Sequence, residues 1–171
     1  RFSVVAPLAT STSIACPAAS RTASRRPSGL KAAKDNPLSG ATGTNSYGGM
    51  TAAGLISLHF AGVDKSDPRV QAAYQWITAN YSLGVNPGTN AKHGLFYFYN
   101  AFAKVMAAYG ADEFTDTKGQ KHNWRNELAQ KLVSLQAPDG SWANPDSNKW
   151  WEDKPPLVTA WSVIALEHAL K

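Results

Sequence analysis

The chain has 171 residues and a formal net charge of +5, and 43% of its residues are hydrophobic. This length corresponds to one domain or part of one, and the apolar content is enough for a core, which excludes a wholly disordered protein. No apolar run reaches the roughly 18 residues that a membrane-spanning helix requires, and the single cysteine, Cys16, excludes a disulfide framework.

Residues 1–45 form a basic leader, rich in Ala, Ser and Pro, that we expect to be disordered. They carry six basic residues and one acidic residue, whereas residues 46–171 carry 11 of each. The second part therefore has no charge excess to attract phosphate, and no nucleic-acid partner is predicted. For the leader itself three interpretations stay open: an unstructured segment, a basic arm, or the remnant of an export signal in which Cys16 accepts a lipid.

After the leader, the pattern predicts helices of two alternating kinds. Residues 50–61 are apolar on nearly all sides, which is typical of a buried helix. Asp67 and Pro68 then supply the N-cap and the first position of an amphipathic helix. The apolar residues of this helix fall on a single face: Val70, Tyr74, Ile77 and Tyr81.

The alternation continues to the end of the chain. Residues 94–109 are apolar on most sides, residues 122–136 predict a second amphipathic helix, and residues 157–170 predict a third buried helix. MTAAGLISL, from Met50, aligns with VTAWSVIAL, from Val158, which indicates a repeat of helical pairs. No segment shows the period-two alternation of a strand, so an all-α fold is expected.

The most specific local signature is LQAPDGSW, residues 135–142. Pro138, Asp139 and Gly140 have the chemistry of a turn, in which glycine allows a positive φ. Gln136 can bond free backbone groups at the helix end, and Trp142 can cover the turn with a large apolar face. A catalytic carboxylate is the alternative for Asp139, although the turn already accounts for that residue.

With the helical pairs, this motif resembles the prenyltransferase/squalene oxidase repeat over residues 46–171. Gln136, Asp139, Gly140 and Trp142 match the family's structural Gln–Trp motif, although Lys131 replaces its usual apolar or aromatic residue. The resemblance implies a partial α/α toroid of helical-pair repeats, with buried inner and amphipathic outer helices. It also implies similarity to squalene–hopene cyclases, oxidosqualene cyclases and protein prenyltransferase β subunits, and to bacterial members without a known role.

The catalytic motifs of that family do not occur in this sequence. The Asp-x-Asp-Asp acid motif of squalene–hopene cyclases is missing, and the catalytic residues are therefore unknown. Protein prenyltransferases hold zinc with Asp, Cys and His, but residues 46–171 contain no cysteine. The four histidines do not stand at metal-ligand spacing, so neither a metal nor a cofactor is predicted: His59, His93, His122 and His168.

Aromatic residues are the candidates for a ligand site. If a toroid cavity exists, five of them are predicted to line it: Tyr97, Tyr99, Trp150, Trp151 and Trp161. Their faces would suit an apolar isoprenoid or a cationic intermediate, whereas ordinary helix packing is the alternative. The oxygen-rich loop at Asn144, Asp146 and Asn148 is interpreted as a polar turn in preference to a calcium site.

The five predicted helices make less than half of a closed ring. An apolar inner face would then need cover from missing upstream repeats, a partner chain or self-association, so we expect a fragment of a longer toroid or a degenerate derivative. Two function classes follow. One is a terpenoid (squalene/hopene) cyclase-like protein whose catalytic acid lies elsewhere, and the other is a non-catalytic helical-repeat module that binds a lipid or a protein segment.

Overall fold

The computed structural model describes residues 46–89 and 91–171, so the predictions for the leader at 1–45 lie outside the described residues. The described part contains five helices: α1 (Gly48–Phe60), α2 (Pro68–Ala79), α3 (Leu95–Tyr109), α4 (Trp124–Ser134) and α5 (Pro155–Ala169). Two short antiparallel strands, β1 (Glu113–Thr115) and β2 (Lys121–Asn123), connect α3 to α4. A mostly helical fold is therefore confirmed.

The central element of the described part is α3. It packs against α1 and against α5, while α2 packs on α1 and α4 packs on α5. Phe102 meets Trp124 of α4 edge to face with ring centroids 5.7 Å apart, and Tyr109 stacks on Tyr74 of α2 at 3.9 Å. Because neighbours cover it on several sides, α3 supplies much of the core: Leu95, Phe96, Phe98, Tyr99, Phe102, Val105 and Met106.

The prediction that α1 and α5 are buried nearly all round is wrong. Each buries only a stripe, which includes Ala52 and Leu55 in α1 and Val158 in α5. Phe60 is 82% exposed and Met50 is 55% exposed. An apolar composition allows a helix to be buried, but the number of helices packed against it decides how much of its surface is buried. Because α1 and α5 lie on either side of α3, which also contacts α2 and α4, they each keep one face exposed.

The amphipathic helix α2 begins as the sequence predicts. The Oδ1 atom of Asp67 accepts a hydrogen bond from the backbone N–H of Arg69 at 2.8 Å, and Pro68 occupies the first helical position, where no N–H is needed. Val70 and Ile77 are buried against the core. Local cap chemistry and one apolar face are therefore sufficient to specify this element.

We expect the start of α2 to weaken in acid. The side chain of Arg69, followed by its backbone N–H, lowers the pKa of Asp67 from 3.8 to about 2. Because the folded-state pKa is the lower one, the ionised cap stabilises the helix above the unfolded-state pKa, and this contribution is lost as the pH falls through the folded-state pKa. The amide resonance of Arg69 should titrate near pH 2. The replacement Asp67→Asn keeps a capping side chain but removes the titrating group, so the Arg69 amide should no longer titrate near pH 2. If the pH midpoint of the Arg69 amide is the same in this variant, the titration does not belong to Asp67.

The two strands contradict the expectation that the chain has none. Each strand points one side chain inward, Phe114 from β1 and His122 from β2, and these rings stack with centroids 5.2 Å apart. Asp116 closes the connection by accepting hydrogen bonds from the backbone N–H groups of Lys118 and Gln120. With one inward residue in each strand, the alternation is too short to recognise, and α4 begins two residues later than predicted.

Candidate ligand-binding groove

An aromatic groove lies beside the N-terminal turns of α1, α3 and α5. Its volume is about 460 Å³, within the range of roughly 300–1,000 Å³ that small-molecule sites occupy. Nine residues line it: Tyr47, Met50, Asn86, Gly94, Tyr97, Trp150, Trp151, Leu157 and Trp161. The groove is therefore built from three helix starts and two connecting loops.

Four of the five aromatic residues predicted to line a cavity lie in this groove: Tyr97, Trp150, Trp151 and Trp161. The rings of Tyr97 and Trp161 meet edge to face at 5.7 Å. Tyr99 is the exception, because it is fully buried in the core and its hydroxyl donates a hydrogen bond to the carbonyl oxygen of Leu83 at 2.6 Å. Residues two apart on a helix point about 200° from each other, so Tyr97 and Tyr99 cannot line the same side.

Trp150 and Trp151 adopt a backbone conformation that tryptophan rarely takes. Their φ angles are 58° and 59°, in the left-handed region. The N–H of Glu152 donates to the carbonyl oxygen of Lys149, so residues 149–152 form a turn with positive φ at both central positions, where Asn and Gly are preferred. Each strained residue of this kind costs about 1–3 kcal/mol. The turn precedes the last helix, since α5 begins at Pro155.

The two indoles of this turn differ in how firmly they are held. The ring of Trp150 lies 2.9 Å from the point that a Cβ atom on Gly94 would occupy, and Gly94 has a φ of 66°, so only glycine fits there. The Nζ atom of Lys149 lies 4.7 Å from the centroid of the Trp150 ring. Trp150 is 44% exposed and Trp151 is 70% exposed. The indole of Trp150 is therefore packed on the start of α3, whereas the indole of Trp151 is largely exposed at the edge of the groove.

Glu152 anchors the turn from within the protein. Its side chain is fully buried. The Oε1 atom accepts hydrogen bonds from the backbone N–H groups of Phe96 at 2.9 Å and Tyr97 at 3.0 Å. The Oε2 atom accepts one from the N–H of Leu95 at 3.1 Å and one from Nδ2 of Asn144 at 2.8 Å. The carboxylate thus accepts from three N–H groups at a helix start, one of which, that of Leu95, it shares with the carbonyl of Lys92. The helix dipole favours a negative charge at this position.

Sequence reasoning did not find this role of Glu152. Its N–H partners lie 55 to 57 residues earlier in the chain, so no local pattern connects them. A weak signal was present, because Gly94 at the start of α3 offers no side-chain cap, and the cap therefore had to come from elsewhere.

The oxygen-rich loop before the turn is held by internal bonds. Nδ2 of Asn144 also donates to the carbonyl oxygen of Lys92 at 2.8 Å, and its Oδ1 accepts from the N–H of Asp146. Asp146 forms an ion pair with Lys92 at 2.7 Å. These contacts connect the loop to the segment that enters α3, so the loop helps to position the groove.

The polar groups of the groove are neutral. Burial, followed by the neighbouring Tyr97, raises the pKa of Tyr47, so its hydroxyl stays protonated at neutral pH. The amide of Asn86 is engaged with the backbone, since its Oδ1 accepts from the N–H of Gly49 and its Nδ2 donates to His93. None of the nine lining residues is Asp, Glu, His, Lys or Arg. The groove can therefore bind apolar groups and cations through aromatic faces, but its own lining offers no carboxylic acid.

The Gln–Trp motif lies outside the groove lining and forms a turn. Nε2 of Gln136 donates to the carbonyl oxygen of Gly140 at 2.9 Å, and Gly140 has a φ of 84°. Oδ1 of Asp139 accepts hydrogen bonds from the N–H and the hydroxyl of Ser141. The hydroxyl contact is the main cause that lowers the pKa of Asp139, which makes this carboxyl a poor proton donor.

Trp142 connects α4 to α5. Its side chain is 5% exposed, and its Nε1 donates to the carbonyl oxygen of Leu132, in the last turn of α4, at 2.8 Å. Its backbone N–H donates to Oγ1 of Thr159 in α5 at 3.1 Å. A single buried indole thus gives a carbonyl in the last turn of α4 a second donor, beside the N–H of Leu135, and covers the turn that follows.

A second polar cluster surrounds His122. Its Nδ1 lies 3.1 Å from Glu127 and its Nε2 lies 3.6 Å from Asp116. The ring meets that of Tyr81 at 4.8 Å, and burial, followed by the charge of Glu127, raises the pKa of Tyr81. Tyr81 was predicted on the face of the second helix, but it follows the end of α2 and packs against Phe102. This cluster joins the strand pair to α4.

Within residues 46–89 and 91–171, no group of three His, Cys, Asp or Glu side chains is arranged to hold a metal ion. None of the helices in that part has the length and apolar character needed to cross a membrane. Comparison of the chain with protein-family models, curated proteins and solved structures gives no significant match.

Proposed function

We propose that residues 46–171 form an arc of an α/α toroid that binds an apolar ligand, of the isoprenoid class, in the aromatic groove. Two observations support the toroid. The apolar helices α1, α3 and α5 are neighbours, and the amphipathic helices α2 and α4 pack on α1 and α5. The hydrogen bonds of Gln136 and Trp142 to backbone carbonyls also support a structural role for the motif, which is the role that its resemblance to the terpenoid cyclase-like repeat family implies.

The strained turn at Trp150 and Trp151 carries the proposal of ligand binding. An Asn-Gly pair would form the same turn without strain and would leave no large apolar side chain in water. The chain instead places two indoles there, beside a groove that already contains Tyr97 and Trp161. Backbone strain that brings aromatic side chains to a concave apolar surface is typical of a binding site.

The chemistry of the lining favours binding over catalysis. Protonation of an alkene or an epoxide requires a carboxylic acid in the site, and the lining contains none. The nearby carboxylate of Glu152 already accepts four hydrogen bonds. We therefore propose a terpenoid cyclase-like helical-repeat protein whose described residues bind an isoprenoid but do not catalyse its conversion. The enzymatic alternative needs an acid from another segment or chain.

The exposed apolar side chains support a partner for the open sides of this arc. Phe60 and Met50 on α1 and Val163 on α5 are each more than half exposed, and so is Leu170 just after α5. Apolar surface of this kind is usually covered in the functional state. We propose further helical repeats or a second copy of the chain as the cover.

Farnesol and squalene test the proposal directly. We expect both to quench or shift the tryptophan fluorescence of the full chain, and we expect Trp151→Ala to weaken binding by about tenfold or more because a large aromatic contact is lost. Phe60→Ala is the matched control, since it also removes an exposed aromatic side chain but lies outside the groove. Equal affinities of Trp151→Ala and the unaltered chain would contradict the site.

The squalene sample also separates the two function classes. After incubation, the extracted lipid should contain unreacted squalene, as detected by gas chromatography with mass spectrometry. A cyclised product that depends on the protein would overturn the non-catalytic proposal and establish a cyclase.

A further inference from the structure

We infer that Glu152 is a positioning residue that holds Trp151 at the mouth of the groove, an inference that rests on the proposed ligand site. The geometry around the turn supports it. Trp150 is docked on Gly94, and Glu152 is bonded to the three N–H groups that follow Gly94. Trp151 lies between these two residues, so the chain is attached to the start of α3 on both sides of Trp151.

This double attachment explains why Trp151 stays in the left-handed region. A free turn would relax to remove a φ of 59°, because that backbone conformation is strained for tryptophan. Hydrogen bonds to a charged acceptor are stronger than those between neutral groups, and the four that Glu152 accepts hold the turn against this strain. The buried carboxylate thus stabilises an exposed indole that makes few contacts of its own.

The source of the helix cap makes the link specific. A Ser, Asp or Asn at position 94 would cap α3 locally and leave the turn at residues 149–152 independent of it. The chain has Gly94 there, and the ring of Trp150 occupies the space where a side chain would lie. The N–H groups of Phe96 and Tyr97 are therefore satisfied when Glu152 is in place, which couples the start of α3 to the turn.

The replacement Glu152→Gln tests the role at nearly constant volume. An amide has one acceptor oxygen, and its NH₂ group would face backbone N–H groups that also donate. In the full chain labelled with fluorotryptophan, we expect the fluorine resonances of Trp150 and Trp151 to shift, whereas those of Trp124 and Trp142 stay in place. Assignment uses single Trp→Phe variants. Unchanged resonances of Trp150 and Trp151 would overturn the inference, and so would equal shifts of all four.

Binding of farnesol provides the second readout, through a double-mutant cycle. We expect Glu152→Gln to raise the Kd by about tenfold in the unaltered chain but by less than about twofold in a Trp151→Ala background, because the carboxylate acts through that indole. Independent, multiplicative effects on the Kd would show a general structural role and would contradict positioning.

The two readouts separate this inference from the proposed function. If farnesol does not bind, the ligand proposal fails, and the fluorine spectrum of the free protein still decides whether Glu152 positions the turn. If Glu152→Gln does not fold, Asn144→Ala removes one of the four donors to the carboxylate, and the same resonances decide the question.

Discussion

The double replacement Trp150→Asn with Trp151→Gly is expected to abolish ligand binding while it leaves the fold as stable as before or more stable. Asn-Gly is the preferred pair for a turn with positive φ at both central positions, so strain of about 1–3 kcal/mol per residue is removed. The losses are the packing of Trp150 on Gly94 and its contact with Lys149, the latter worth about 0.5–1 kcal/mol at an exposed site. Urea unfolding and farnesol binding measure the two effects.

A matched control keeps the aromatic side chains and the strain. Trp150→Phe with Trp151→Phe should retain most of the binding and gain no stability, because phenylalanine is as strained at positive φ as tryptophan. If the Asn-Gly variant binds farnesol normally, the turn does not belong to the ligand site. If it loses more than about 2 kcal/mol of unfolding free energy, the tryptophans are core residues and the strain argument is wrong.

Trp142→Ala is expected to cause the largest loss of stability. The side chain is almost completely buried between α4 and α5, and removal of a buried tryptophan typically costs about 3–5 kcal/mol. Domains have total unfolding free energies of about 5–15 kcal/mol, so this variant should lose a large fraction of its stability. The unfolding free energy from urea denaturation gives the measurement.

Two milder variants show which part of the Gln–Trp motif matters. Trp142→Phe keeps most of the ring volume but removes the Nε1 hydrogen bond to the carbonyl of Leu132, which keeps the N–H of Leu135 as a donor, so the expected cost is about 0.5–1.5 kcal/mol. Gln136→Ala removes a solvent-exposed hydrogen bond to Gly140 and should cost less. A loss in Gln136→Ala as large as that in Trp142→Ala would mean that the polar turn, and not the buried indole, holds the two helices together.

Local features of the fold were accessible from the sequence. Asp67 and Pro68 mark the start of α2, and the side chain of Asp67 makes the expected cap bond. The strand pair was missed because Phe114 and His122 are the only inward residues of their strands. A structural element can be predicted when several residues within about four positions of each other indicate it. A strand with a single inward residue gives no such pattern.

The groove could be predicted from the sequence only in part. Four of the five aromatic residues predicted for a toroid cavity line the groove, but helical geometry separates Tyr99 from Tyr97 and places Tyr99 in the core. The role of Glu152 could not be predicted from the sequence, since its backbone hydrogen-bond donors lie on a helix more than 50 residues earlier in the chain.

The sequence by itself determined where the helices lie, how α2 is capped and which residues form the turn of Gln136, because these depend on short-range geometry and on the properties of single residues. The tertiary structure alone decided which faces of α1 and α5 stay open, since the number of packed neighbours sets that. It also decided that Trp150 and Trp151 take positive φ angles. Local preference opposes that conformation, and it persists because hydrogen bonds from a distant helix end to Glu152 outweigh the strain.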